Sequence, residues 1–135
     1  MTDADSSIEG HRKQLNASKL VLLVDDDLDL LEVTTFVLEG EGFLVETARN
    51  GEAALRRLRA GRRPDIMLLD LMMPIMNGHE LLEEVAKDPS LQEIPVVVLT
   101  AAPHARVSGA VEVLYKPIDL RLLVEIVERH VHGAG

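Results

Sequence analysis

The sequence predicts an α/β domain, a doubly wound parallel β-sheet with helices on both faces, and three observations carry that reading. Five apolar runs of strand length alternate with helical segments along the 135 residues. The runs at Leu20 to Val24, Ile66 to Leu69 and Val96 to Leu99 are continuous, the pattern of strands buried on both faces. Four runs stop at a residue able to do chemistry: Asp25, Asp70, Thr100 and Lys116.

The elements follow in order. Residues 1–18 are rich in Asp, Ser, Glu, Arg and Lys and read as a flexible N-terminal tail, with one domain over 19–135. Lys19 to Val24 is the first strand, stopped by Asp25-Asp26-Asp27. From Leu28, the positions Leu31, Val37 and Leu38 recur at helical spacing until Gly40. Phe43 to Thr47 alternates as a second strand, and Asn50-Gly51 opens a helix through Leu58. Pro64 introduces the third strand, which ends at Asp70 before Pro74 and Gly78. A helix with Leu81, Leu82 and Val85 closes at Asp88-Pro89. Pro95 precedes the fourth strand, Ala110 to Tyr115 forms the fifth, and Leu120 to Val131 is a final amphipathic helix. Only ten residues join Thr100 to Val111, among them Pro103 and Gly109, so the fourth crossover helix is expected to be short, irregular or absent.

Composition narrows the function classes. A net charge of -9 opposes non-specific binding to nucleic acid or an anionic membrane. Two Phe, one Tyr and no Trp leave few stacking surfaces for single strands. The absence of cysteine excludes disulfide and thiol chemistry, and with no apolar signal region or membrane span the expected location is the cytoplasm. The arginines at 56, 57, 59, 62 and 63 read as a solvated helix face complementing the negative helix end, ahead of a basic docking patch.

In an open parallel sheet all strands end on one edge, where ligands bind. That edge gathers Asp25 and Asp26, Asp70, Thr100 and Lys116. Clustered carboxylates repel unless a cation lies between them, and few hard oxygen ligands suit Mg²⁺. A carboxylate beside that metal can act as a nucleophile toward phosphorus, with a hydroxyl and a lysine to receive the added charge. Singly, each residue also fits a helix cap or a turn.

As a set, Val24-Asp25-Asp26, Asp70-x-x-Met73-Pro74-x-Met76-x-Gly78, Thr100-Ala101 and Lys116-Pro117 resemble the receiver domains of two-component response regulators, over about residues 19 to 131. The resemblance implies a flavodoxin-like five-stranded sheet of order 2-1-3-4-5. It also implies that Asp70 is the phosphoacceptor, and that Asp26, Asp70 and the Met72 backbone carbonyl coordinate Mg²⁺, with Asp25 acting near or through a metal water. Thr100 would be the switching hydroxyl and Lys116 the phosphoryl partner, with a cis bond commonly preceding the proline of the Lys-Pro pair. Such a domain is a phospho-switch rather than an enzyme acting on outside substrates.

Two departures matter. Val113 stands where most receivers carry the switching aromatic, and Tyr115 lies two residues on, on the same strand face. Met72 and Ala102 stand two residues after Asp70 and Thr100 and cannot orient water, so slow self-dephosphorylation is expected. The leading expectation is a stand-alone receiver charged by a histidine kinase or histidine phosphotransfer protein, signalling to a downstream protein through its first or last helix. The alternatives are a receiver-like binding module independent of phosphorylation and, from Asp25-x-Asp27, an aspartate-nucleophile hydrolase.

Overall fold

The computed structural model describes residues 3–133 except 104 and 106. The elements are α1 (Asp3–Asn16), β1 (Leu20–Val24), α2 (Leu28–Gly40), β2 (Leu44–Ala48), α3 (Gly51–Leu58), β3 (Ile66–Asp70), α4 (Gly78–Ala86), β4 (Val96–Thr100), β5 (Glu112–Tyr115) and α5 (Leu120–Val131). The strands form one parallel sheet in the order β2-β1-β3-β4-β5. This is the expected architecture, with β1 and β2 starting one residue later and β5 two residues later than the sequence suggested.

Strand alternation divides the core in two. Leu22, Val24, Met67, Leu69, Val96 and Val98 pack under α3 and α4. Val21, Leu23, Ile66, Leu68, Val97 and Leu99 pack under α2 and α5. The three central strands are buried along their whole length, which is why their sequences lack alternation. Polar caps set where the helices begin: Asp27 accepts from the amides of Asp29 and Leu30, Asn50 from Ala53, and Asp119 from Arg121 and Leu122. Asn77 and Glu80 form a reciprocal capping box at α4.

Within residues 1–18, expected to be a flexible tail, Asp3–Asn16 form α1, and the last turn of that helix is docked. Asn16 is fully buried. Its Nδ2 donates to the Glu41 carbonyl at 2.8 Å and to Glu128 Oε2 at 3.0 Å, and its Oδ1 pairs with His132 Nε2 at 2.6 Å. Arg12 adds ion pairs to Glu41 at 3.0 Å and Glu128 at 3.3 Å. The partners lie in the α2–β2 turn and at the end of α5, so local composition carried no sign of them.

The β4–β5 connection agrees with its length. None of its described residues is helical, and Ala105, Val107 and Ala110 pack against the α3/α4 side of the core instead.

Candidate functional site

The carboxyl ends of β1, β3, β4 and β5 converge, as a parallel sheet requires. Asp25 follows β1 directly; its amide bonds the Ala48 carbonyl at 3.1 Å, which fixes its backbone to β2. Asp70 is the last residue of β3 and pairs in register with Leu99, so Thr100 stands one step further along the neighbouring strand. Thr100 in turn pairs with Tyr115, and the Lys116 amide donates to the Thr100 carbonyl at 2.8 Å. The Lys116-Pro117 bond is cis.

Carboxylate oxygens of Asp25, Asp26 and Asp70 all lie within 4.8 Å of one another. Asp25 and Asp70 are buried, Asp26 is exposed. The Lys116 ammonium bridges the two buried acids, 2.9 Å from Asp25 Oδ2 and 3.5 Å from Asp70 Oδ1. Asp25 Oδ1 accepts the Asp27 amide at 2.9 Å, and Asp70 Oδ1 accepts the Met72 amide at 3.3 Å. Thr100 is fully buried, and its Oγ1 accepts the Ala102 amide at 3.0 Å.

Burial pushes the Asp70 carboxyl above its ordinary value, and the negative charge of Asp25 adds to the push; Lys116 and the Met72 amide oppose it. Burial alone would lower Lys116, but the hydrogen bond and charge of Asp25, with the charge of Asp70, outweigh it and raise the lysine. One lysine therefore leaves the acid cluster under-compensated. Three close oxygen donors with residual negative charge suit a small hard cation such as Mg²⁺.

The site residues named from sequence all come to this edge. Met72 is 71% exposed. Val113 is half-buried against the α3/α4 side of the core, and Tyr115 is half-exposed beyond it. The arginine cluster has local partners: Arg56 with Glu52 at 2.9 Å, Arg57 with Glu46, Arg59 with Glu84 at 3.6 Å and Arg62 with Asp65 at 2.9 Å. Their charge is largely answered within the domain.

Sequence reasoning missed the close approaches around the β3–α4 loop. A Cβ on Gly78 would meet the Asp70 carbonyl at 2.6 Å and Leu71 Cα at 2.8 Å, so the loop returns onto the end of β3 only because that side chain is absent. The Asn77-Gly78 pair signalled a helix start, which hides the contact role.

Fold and site together define a doubly wound α/β domain with a lysine-bridged carboxylate pocket at its strand ends. The chain belongs to the response regulator receiver domain family, whose model matches residues 21–128. It is 45% identical over 113 residues to the transcriptional regulatory protein CpxR homolog of Haemophilus influenzae, covering 79% of this chain and 47% of that protein. The chain thus spans about half the length of the first curated relatives it matches. An uncharacterized 14.6 kDa protein of Leptolyngbya boryana is 34% identical over 116 residues, covering 82% of this chain and 88% of that one. Among solved structures, the response regulator TrrA of Thermotoga maritima in complex with Mg²⁺-BeF is similar with a TM-score of 0.73. It is 32% identical and covers 82% of this chain and 97% of that one.

Proposed function

We propose that the chain acts as a response regulator receiver that accepts a phosphoryl group on Asp70 from a histidine kinase or histidine phosphotransfer protein in the cytoplasm. The observation that carries this reading is the lysine held between two buried acids, 2.9 Å from Asp25 and 3.5 Å from Asp70, beside a third. One Asp70 oxygen forms the new O–P bond as the donor's P–N bond breaks and the imidazole leaves. Lys116 stands ready to pair with the transferred charge, and Thr100 offers a hydroxyl at the end of the adjacent strand. Asp25, Asp26, Asp70 and the Met72 carbonyl would hold Mg²⁺, which when bound supplies charge neutralisation for the phosphoryl oxygens. On α2, Leu28, Val33 and Phe36 are exposed apolar residues that a protein partner could cover. The net charge of -9 opposes direct non-specific binding of this domain to nucleic acid or an anionic membrane.

The test is intact mass after incubation with Mg²⁺ and acetyl phosphate. A phosphoryl adduct on the native chain, absent from Asp70→Asn and absent with chelator, is expected. No adduct together with no Mg²⁺ binding would overturn the reading in favour of a phosphorylation-independent binding module. Val113 in the switch position is the observation that favours that second reading.

A further inference from the structure

The loop that carries Asp70 into α4 is gripped by a helix that supplies none of the acids. Gly51, the first residue of α3, is buried, and its amide donates to the Met76 carbonyl at 2.8 Å. A Cβ at Gly51 would stand 2.5 Å from that same oxygen and 2.7 and 2.9 Å from Met76 Cγ and Cβ. Because the nearest atom is backbone, adding a side chain at 51 requires the loop itself to move.

The turn just before this contact is strained. The Met76 amide donates to the Pro74 carbonyl at 2.8 Å, and Ile75 between them has φ 69°. That is a three-residue turn of the rare positive-φ kind, here centred on a β-branched residue. Ile75 is 72% exposed, so little packing repays the strain. A strained turn persists only where its surroundings over-determine it. On one side are Pro74, with its fixed φ, and Met73, buried in the core. On the other is the grip of Gly51. The run from Met76 back to Met72 therefore has little slack, and the Met72 amide bonds the Asp70 carboxylate at 3.3 Å.

We propose that Gly51 is a positioning residue of the Asp70 site: its amide and its missing side chain let α3 clamp the Ile75 turn and so hold Met72 against Asp70. This rests on the reading of Asp70 as the metal-assisted phosphoacceptor. Residue 51 touches neither metal nor phosphoryl group, so its influence is on affinity and geometry at a distance.

The test measures the dissociation constant of Mg²⁺ for the unphosphorylated protein by calorimetric titration, and the acetyl phosphate dependence of charging. Gly51→Ala is expected to weaken Mg²⁺ binding about tenfold, the usual scale for losing an outer support of a metal site. A Gly51→Ala/Ile75→Gly double variant is expected to recover most of that loss. Glycine at 75 takes positive φ freely and absorbs the displacement before it reaches Met72. A purely structural role would lower the melting temperature and leave the Mg²⁺ constant alone; that result overturns the proposal. Should Gly51→Ala fail to fold, the native chain decides by NMR. A shift of the Gly51 amide resonance on Mg²⁺ saturation supports the clamp, and an unmoved resonance overturns it. A native chain that neither binds Mg²⁺ nor takes up phosphoryl overturns the underlying reading and this proposal with it.

Discussion

Replacing Lys116 by methionine keeps most of the side-chain stem and removes the charge that bridges the pocket. Asp25 is fully buried and loses the ammonium at 2.9 Å, keeping the Asp27 amide; Asp70, 3% exposed, loses its cation at 3.5 Å. At an effective dielectric of about 20, gross attraction at these separations is roughly 5 kcal/mol each, most of it offsetting desolvation. Stripping one partner from a buried pair costs about 3–5 kcal/mol. The lysine side chain is itself 21% exposed, which places the expected loss near the lower end, about 3 kcal/mol. In a domain of this size that lowers the melting temperature by roughly 12 °C. The assay is urea and thermal unfolding at neutral pH with chelator present, so that no cation substitutes for the lysine. Adding Asp25→Asn to Lys116→Met should return more than half of the loss, because the stranded charge is gone. A loss below about 1 kcal/mol, the worth of an exposed pair, or no recovery in the double variant would refute the reasoning. The sign with pH is also fixed. Lys116 titrates above its ordinary 10.5 in the folded chain, so its stabilisation is complete below that pH and fades as pH climbs through the raised value.

Asp70 titrates above its ordinary 3.8, chiefly through burial and then the Asp25 charge, so without metal its contribution to stability is best below pH 3.8 and is lost as pH rises through the raised value. Asp70→Asn is accordingly expected to melt higher than the native chain at neutral pH and to converge with it in acid; a lower melting point at pH 7 would contradict this. Ile75→Gly trades about 1–3 kcal/mol of backbone strain against roughly 0.5–1 kcal/mol of added chain entropy, and a higher urea midpoint is the expected result. A midpoint at or below the native one would show that the turn at 75 is unstrained. Asn16→Ala removes a buried side chain with three polar partners, for an expected loss of about 1–3 kcal/mol. It should also speed proteolysis within α1, and unchanged cleavage there would mean that α1 is held by something else.

Most of this site was legible because the residues that carry it sit at strand ends, and burial on both faces makes those ends visible as breaks in apolar runs. Asp70 closes one run and Thr100 another, and sheet register alone brings them to adjacent strands. That the described residues of the β4–β5 connection form no helix was legible from its length. What escaped was everything set by distant packing. Asn16 looks like one more polar residue in an acidic segment until Glu41, Glu128 and His132 surround it. Gly51 and Gly78 read as helix openers, and only the backbone of another segment within 3 Å of the absent side chains reveals their second task. Ile75 has no signature at all, since nothing in a β-branched apolar residue announces a positive φ.

The most direct test of the central claim locates the phosphoryl group rather than merely detecting it. The native chain charged with acetyl phosphate and Mg²⁺ is reduced with borohydride, which converts an acyl phosphate to an alcohol, and its peptides are sequenced by mass. Homoserine at position 70 alone is the expected result. Reduction at Asp25 or Asp26, or a charged chain with no reduced aspartate, would contradict the assignment of Asp70.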